Sequence, residues 1–219
     1  MSIVRSPEGH YQSTLLAECA GLVHVFGTAA APPPEGYATL QQVHSARVLE
    51  ATGPGQTGEG DAWITALGGV RVAVKTADCI PLLMYDPRHR AVAAVHAGWR
   101  GVVQNIARAA VEALSLRYGS RSEDVVAALG PAIGGCCFEV GPEVAVQFRE
   151  LFPERNDLEG RTRVNLIEAV VRQLRATGVQ DRHIDRGAPC TFCGGREFFS
   201  WRRDRAPGQR MFAVIGLEA

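Results

Sequence analysis

No sign of charge dominates this chain: lysine plus arginine equals aspartate plus glutamate at 23 each, so the formal net charge is zero. A balanced chain sets up no long-range field to gather nucleic acid or an anionic membrane, and a small-molecule partner is expected instead. Long apolar runs are also missing. Although 46% of residues are hydrophobic, every run is interrupted well short of the roughly 20 residues a spanning helix needs. No secretion signal is found: the patchy apolar stretch 15–26 is broken by Glu18 and His24, with no basic segment before it. A cytoplasmic protein is expected. The nucleotide fingerprints GxGxxG and GxxxxGK(S/T) are absent, since the glycine-rich connection 53–60 has neither spacing. There is no internal repeat and no low-complexity tail.

At 219 residues the chain can bury a full core without disulfide or metal staples. Its six cysteines therefore read as thiols or ligands rather than as a disulfide framework. Short apolar segments between turn residues predict buried strands at 70–74, 80–85, 91–95 and 125–129. Further strands are expected at Leu22–Phe26, across the alternating stretch 37–51, at 198–201 and at Met211–Leu217. The run Ala29-Ala30-Ala31-Pro32-Pro33-Pro34 predicts a loop, because proline removes a donor and restricts its neighbour. After His96 the period changes: Val102, Val103, Ile106, Ala109, Ala110, Ala113 and Leu114 recur at helical spacing, with Gly119 as the stop. Helices are also expected at 142–151 and 164–177. This intermixing predicts an α+β (mixed α/β) fold over one domain, 1–219, with a mixed β-sheet core flanked by helices.

The chemistry concentrates in Gln41-Gln42-Val43-His44, Thr76-Ala77-Asp78-Cys79 and His96-Ala97-Gly98-Trp99-Arg100-Gly101. His44, Cys79 and His96 offer two imidazoles and one thiolate, a donor set that suits zinc and leaves a fourth position open, as catalytic sites do. Taken singly, Cys79 reads more readily as a small core residue and His44 as a satisfied strand histidine. Asp78 shifts the balance: a carboxylate entering the apolar Ile80-Pro81-Leu82-Leu83-Met84 is costly to bury unless it is paired or working, which makes it a candidate general acid or base. Arg100 stands at a helix start and is a candidate anion binder, or else a surface arginine stacked on Trp99. Cys136-Cys137 and the CxxC at Cys190 and Cys193 could share a zinc ion, or the CxxC could be a redox pair. Adjacent cysteines rarely supply two ligands to one ion and the CxxC lacks a strand-to-helix setting, so all four are expected to be structural. The cluster Phe198-Phe199-Ser200-Trp201-Arg202-Arg203-Asp204 reads as a base-stacking surface, a subunit contact or a plain edge strand.

Together these motifs resemble one family, the YfiH-type proteins, labelled laccase-like polyphenol oxidoreductases, purine nucleoside phosphorylases and peptidoglycan editing factors. The resemblance runs through Gln42-Val43-His44, Gly60-Asp61-Ala62, Thr76-Ala77-Asp78-Cys79-Ile80-Pro81, Val95-His96-Ala97-Gly98-Trp99-Arg100-Gly101, Gly130-Pro131-Ala132-Ile133, Cys136-Cys137-Phe138-Glu139-Val140-Gly141, Cys190-Thr191 and Phe199-Ser200-Trp201-Arg202-Arg203-Asp204. It implies a catalytic zinc on His44, Cys79 and His96, with copper as the historical second metal. It also implies phosphorolysis of adenosine, inosine or methylthioadenosine to base and ribose 1-phosphate, with adenosine deamination as a second reaction. Asp78 is then the candidate proton shuttle and Arg100 the candidate phosphate holder. Where the family usually carries a Thr-Arg-x-Gly-Gly loop, this chain has Gly27-Thr28-Ala29-Ala30-Ala31-Pro32, and the arginine is gone. Six histidines are too few for the imidazole-rich copper cluster of a conventional laccase. Two other readings stand beside the phosphorylase. One is a cysteine hydrolase or amidase that edits a cell-wall precursor, with Cys79 as nucleophile and His96 as base, since the family's fold resembles a toxin deamidase. The other is a zinc-stabilised binding module with a fourth ligand from Cys136, Cys137 or Cys190. A monomer or homodimer is expected.

Overall fold

The strands Ile80–Asp86 and Ala91–Ala97 are buried at every position, which requires a covered sheet on both faces. In this computed structural model, which describes residues 3–31 and 35–219, that is how they lie. Leu82, Met84, Ala93 and Val95 pack toward the helices, whereas their neighbours Leu83, Tyr85, Val92 and Ala94 pack toward a second sheet. The alternation follows from the two-residue period of a strand. A buried Leu or Val contributes roughly 1.5–3 kcal/mol, so both faces stabilise the hairpin.

The central sheet has six strands in the order Ile184–Asp185, Val126–Leu129, Ile80–Asp86, Ala91–Ala97, Ala62–Thr65 and Val48–Glu50. The second has seven: Ile3–Arg5, Tyr11–Ser13, Leu22–Phe26, Met211–Leu217, Arg71–Thr76, Tyr37–Gln41 and Thr57–Glu59. Both mix parallel and antiparallel pairs, in keeping with the mixed α/β expectation. The helices Ile106–Tyr118 and Leu166–Ala176 cover the free face of the central sheet through Ala107, Ala110, Leu114, Ala169, Val170 and Leu174. Asn165 caps the second by accepting from the Glu168 amide at 3.1 Å. Among the described residues no helix is long and apolar enough to cross a membrane.

Several expected elements differ in detail. The stretch 37–51 is two strands, Tyr37–Gln41 and Val48–Glu50, because His44 turns the chain at φ 60°. The helix after His96 is in two pieces, Trp99–Val103 and Ile106–Tyr118, broken at left-handed Asn105. The short piece is held elsewhere: Gln173 donates to the Val102 carbonyl at 2.5 Å, and Gln104 donates to that of His44 at 3.3 Å. The helix expected at 142–151 shrinks to Pro142–Ala145 and the 3₁₀ turn Val146–Phe148. Residues 198–201 form no strand. Ser200 instead caps the helix Trp201–Asp204, accepting from the Arg203 amide at 3.2 Å. The proline loop at 32–34 lies outside the described residues.

Candidate metal centre and its cavity

The central hairpin positions two of the three expected ligands. His96 pairs with Pro81 and Ala97 with Ile80, so Cys79 and Gly98 meet at the strand ends. His44 arrives on its left-handed turn, and its ring meets that of His96 edge-on at 4.9 Å. The ligand atoms of His44, Cys79 and His96 all lie within 4.8 Å of one another. Gly98 leaves the room for this: a Cβ there would stand 2.8 Å from His44 Cδ2 and 3.1 Å from Cys79 Sγ.

Asp61, quoted within a motif but given no role from sequence, organises the centre. His96 Nδ1 lies 2.8 Å from Asp61 Oδ1, which leaves Nε2 to face the cluster. The same carboxylate accepts from the His44 amide at 3.0 Å and from the Ser45 amide and hydroxyl, each at 2.7 Å. A carboxylate that orients a ligating histidine in this way is the usual outer support of a metal site. The electrostatics agree with the geometry. Burial pushes the Cys79 thiol up, but His96 and His44 outweigh it and bring the thiol below its ordinary value. Burial likewise pushes His96 down, and Cys79 and Asp61 more than reverse this. Burial also opposes ionisation of Asp61, yet His96 and Ser45 hold it well below the usual carboxylate range. Two imidazoles and a readily formed thiolate, in a cradle kept open by glycine, fit a zinc-type ion.

The centre opens into a cavity of about 1060 Å³. Trp99, Phe138 and Trp201 give it aromatic walls, while Lys75, Arg100, Arg202, Arg205 and Arg210 line it with positive charge. Lys75 is the only lysine in the chain. Arg100 is exposed and its guanidinium sits 4.5 Å over the Trp99 ring, so the stacked arrangement and the cavity position hold together. Asp78, left-handed at φ 86°, accepts three hydrogen bonds: from Thr191 Oγ1 at 2.6 Å, Ser200 Oγ at 3.1 Å and the Arg202 amide at 2.6 Å. It thereby ties the turn that bears Cys79 to the segment that carries Trp201 and Arg202. Of the aromatic and basic cluster, Trp201 and Arg202 reach the cavity, Phe198 enters the core, and Arg203 donates to the carbonyls of Thr191 and Phe198. The altered segment 27–31 supplies none of the lining residues. Signals for Asp61 and Gly98 were present in Gly60-Asp61-Ala62 and in the glycine beside His96. Thr191 and Ser200 also stood within motifs, Cys190-Thr191 and Phe199-Ser200-Trp201, but nothing in the sequence tied either hydroxyl to Asp78.

Four further cysteines, expected to be plain structural residues, are brought together: Cys136, Cys137, Cys190 and Cys193 form a second cluster whose sulfur atoms lie within 4.8 Å of one another. None of them joins the His44, Cys79 and His96 group.

Residues 22–218 match the family model described as multi-copper polyphenol oxidoreductase laccase. The chain is 43% identical over 188 residues to a purine nucleoside phosphorylase of Deinococcus radiodurans, covering 84% of this chain and 71% of that one. It is 39% identical over 161 residues to adenosine deaminase RL5 of an unknown prokaryotic organism, covering 71% of this chain and 61% of that one. The crystal structure of the hypothetical protein YfiH of Bacillus licheniformis superposes with a TM-score of 0.85 at 26% identity, covering 95% of this chain and 96% of that one. The chain therefore belongs to the multi-copper polyphenol oxidoreductase laccase family, that of the YfiH-type proteins.

Proposed function

We propose that this chain is a zinc-dependent purine nucleoside phosphorylase acting on adenosine, inosine and methylthioadenosine, with adenosine deamination as a second activity. The observation that carries the reading is the His44, Cys79 and His96 cluster opening into a cavity walled by aromatic rings and cations. The names of the relatives point the same way. A zinc ion held by these three residues would supply Lewis acidity at the cavity floor. Trp99, Phe138 and Trp201 offer flat faces for a purine. Arg100 holds phosphate as its oxygen attacks ribose C1′ and the bond to the purine breaks, leaving ribose 1-phosphate and the base. Asp78 is the carboxylate we assign to proton movement in deamination, being an acceptor in all three of its hydrogen bonds. We take residues 1–219 as one catalytic domain, since the central sheet contributes to both apolar cores, and assign its action to the cytoplasm.

The test is metal analysis followed by incubation with adenosine, with and without phosphate. Adenine formed only with phosphate, and inosine formed without it, are expected; base release that ignores phosphate would overturn the phosphorylase reading. The lowered Cys79 thiol also favours a second reading, a cysteine hydrolase. Alkylation separates the two, because a thiolate on zinc resists iodoacetamide until a chelator is added, whereas a free nucleophile reacts at once.

A further inference from the structure

Four thiols that the proposed chemistry does not use meet at a second place. Cys136 and Cys137 sit in a tight turn closed by the Cys137 and Phe138 amides on the Gly134 carbonyl, at 2.9 and 3.0 Å. Cys190 and Cys193 lie on the segment that delivers Thr191 to Asp78. Cys193 Sγ is 3.3 Å from Cys137 Sγ and 3.7 Å from Cys136 Sγ, and all four sulfur atoms fall within 4.8 Å of one another. Four thiolates about one zinc ion at a Zn–S distance of about 2.3 Å stand roughly 3.8 Å apart at the corners of a tetrahedron. The cluster has that size. A multi-iron cluster, which inserts several metal and sulfide ions between its ligands, would hold the cysteines farther apart.

At Cys190 the backbone is arranged for sulfur that carries charge. The Gly134 amide donates to Cys190 Sγ at 3.2 Å, and the Phe192 and Cys193 amides also hydrogen-bond it. Gly134 keeps the space clear, since a Cβ there would lie 3.1 Å from Cys136 Sγ and 3.5 Å from Cys190 Sγ. Adjacent cysteines are poor partners in regular structure, but this turn is irregular and brings both within reach.

We propose that Cys136, Cys137, Cys190 and Cys193 hold a second zinc ion, closed by four protein ligands and therefore structural. Each thiol gives up its proton on binding. The ion cross-links two segments that already touch through the Ala132 and Cys190 bridge and the Thr191 amide on the Ala132 carbonyl at 3.0 Å. It thus secures the segment that bears Trp201 and Arg202 beside the catalytic cavity.

The purified holoprotein should contain two zinc ions per chain by plasma mass spectrometry. One should remain in His44→Ala, which leaves the four thiols intact, and one in Cys190→Ser. Mapping of alkylated cysteines should find Cys136, Cys137, Cys190 and Cys193 protected as a block that a strong chelator releases and a reductant alone does not. The proposal is overturned if His44→Ala holds no zinc, if the four thiols alkylate freely without chelator, or if reductant alone exposes them, the mark of a disulfide. Iron in place of the second zinc would overturn the metal assignment. Because the His44→Ala arm reads metal rather than turnover, a failed phosphorylase assay leaves this result standing.

Discussion

Asp61 accepts hydrogen bonds from His96 and from the backbone that carries His44, so one carboxylate fixes two candidate ligands that are distant in sequence. Asp61→Asn keeps the size but turns a donor toward donors. A loss of about 10–100-fold in metal affinity is expected, read by competition with a chromogenic chelator; an unchanged affinity would remove Asp61 from the centre. Gly98→Ala should act on the same property by a different route. Its Cβ would stand 2.8 Å from His44 Cδ2, tighter than real Cβ contacts, so His44 must swing away and metal content should fall in a protein that still folds. For the two groups proposed to act in the chemistry, Asp78→Asn should slow deamination and Arg100→Ala should raise the phosphate concentration needed for half-maximal rate. Wild-type behaviour of either zinc-loaded variant sinks the corresponding role.

At the scale of elements, the strand Val126–Leu129 ends against the second sheet at Gly130, whose amide donates to the Pro81 carbonyl at 2.9 Å. A Cβ at Gly130 would fall 2.2 Å from Phe26 Cδ1, and Phe26 is only 1% exposed. The ring has no free space to enter. Gly130→Ala should therefore cost about 1–3 kcal/mol, seen as a lower denaturant midpoint at unchanged slope. The turn it begins also presents Cys136 and Cys137, so a local shift there should loosen the four-thiol cluster. The short helix Trp99–Val103 shows a related dependence on its surroundings. A Cβ at Gly101 would lie 3.0 Å from the Ser45 carbonyl, so this helix is seated directly on the His44 turn.

Across the whole molecule, the six histidines are dispersed, and only His44 and His96 share a centre among the described residues. His89 pairs with Asp86 at 2.7 Å. His24, 2% exposed, accepts from the Ser13 amide at 3.0 Å. Burial pushes His24 down from 6.5 to about 4, with the Ser13 hydrogen bond and then Asp185 opposing it. Between those values the unfolded chain binds a proton that the folded chain refuses, so stability rises with pH across the window and is lost as pH falls toward 4. The linked loss is on the order of 3 kcal/mol. Urea midpoints at pH 7 and pH 4.5 should show it, and His24→Gln should flatten the difference; an equal pH slope in the variant would assign the effect elsewhere. By itself the sequence determined the buried hairpin strands and the mixed class and singled out His44, Cys79 and His96 as candidate ligands, because apolar runs bounded by turns are local signals and thiol and imidazole side chains are few. Only the tertiary structure decided that the core is two packed sheets, that His44, Cys79 and His96 converge with Asp61 and Gly98 shaping their cluster, and that Ser200 caps a helix. It alone gathered Cys136, Cys137, Cys190 and Cys193, since contacts between segments far apart in sequence depend on strand register and close packing, which no local pattern records.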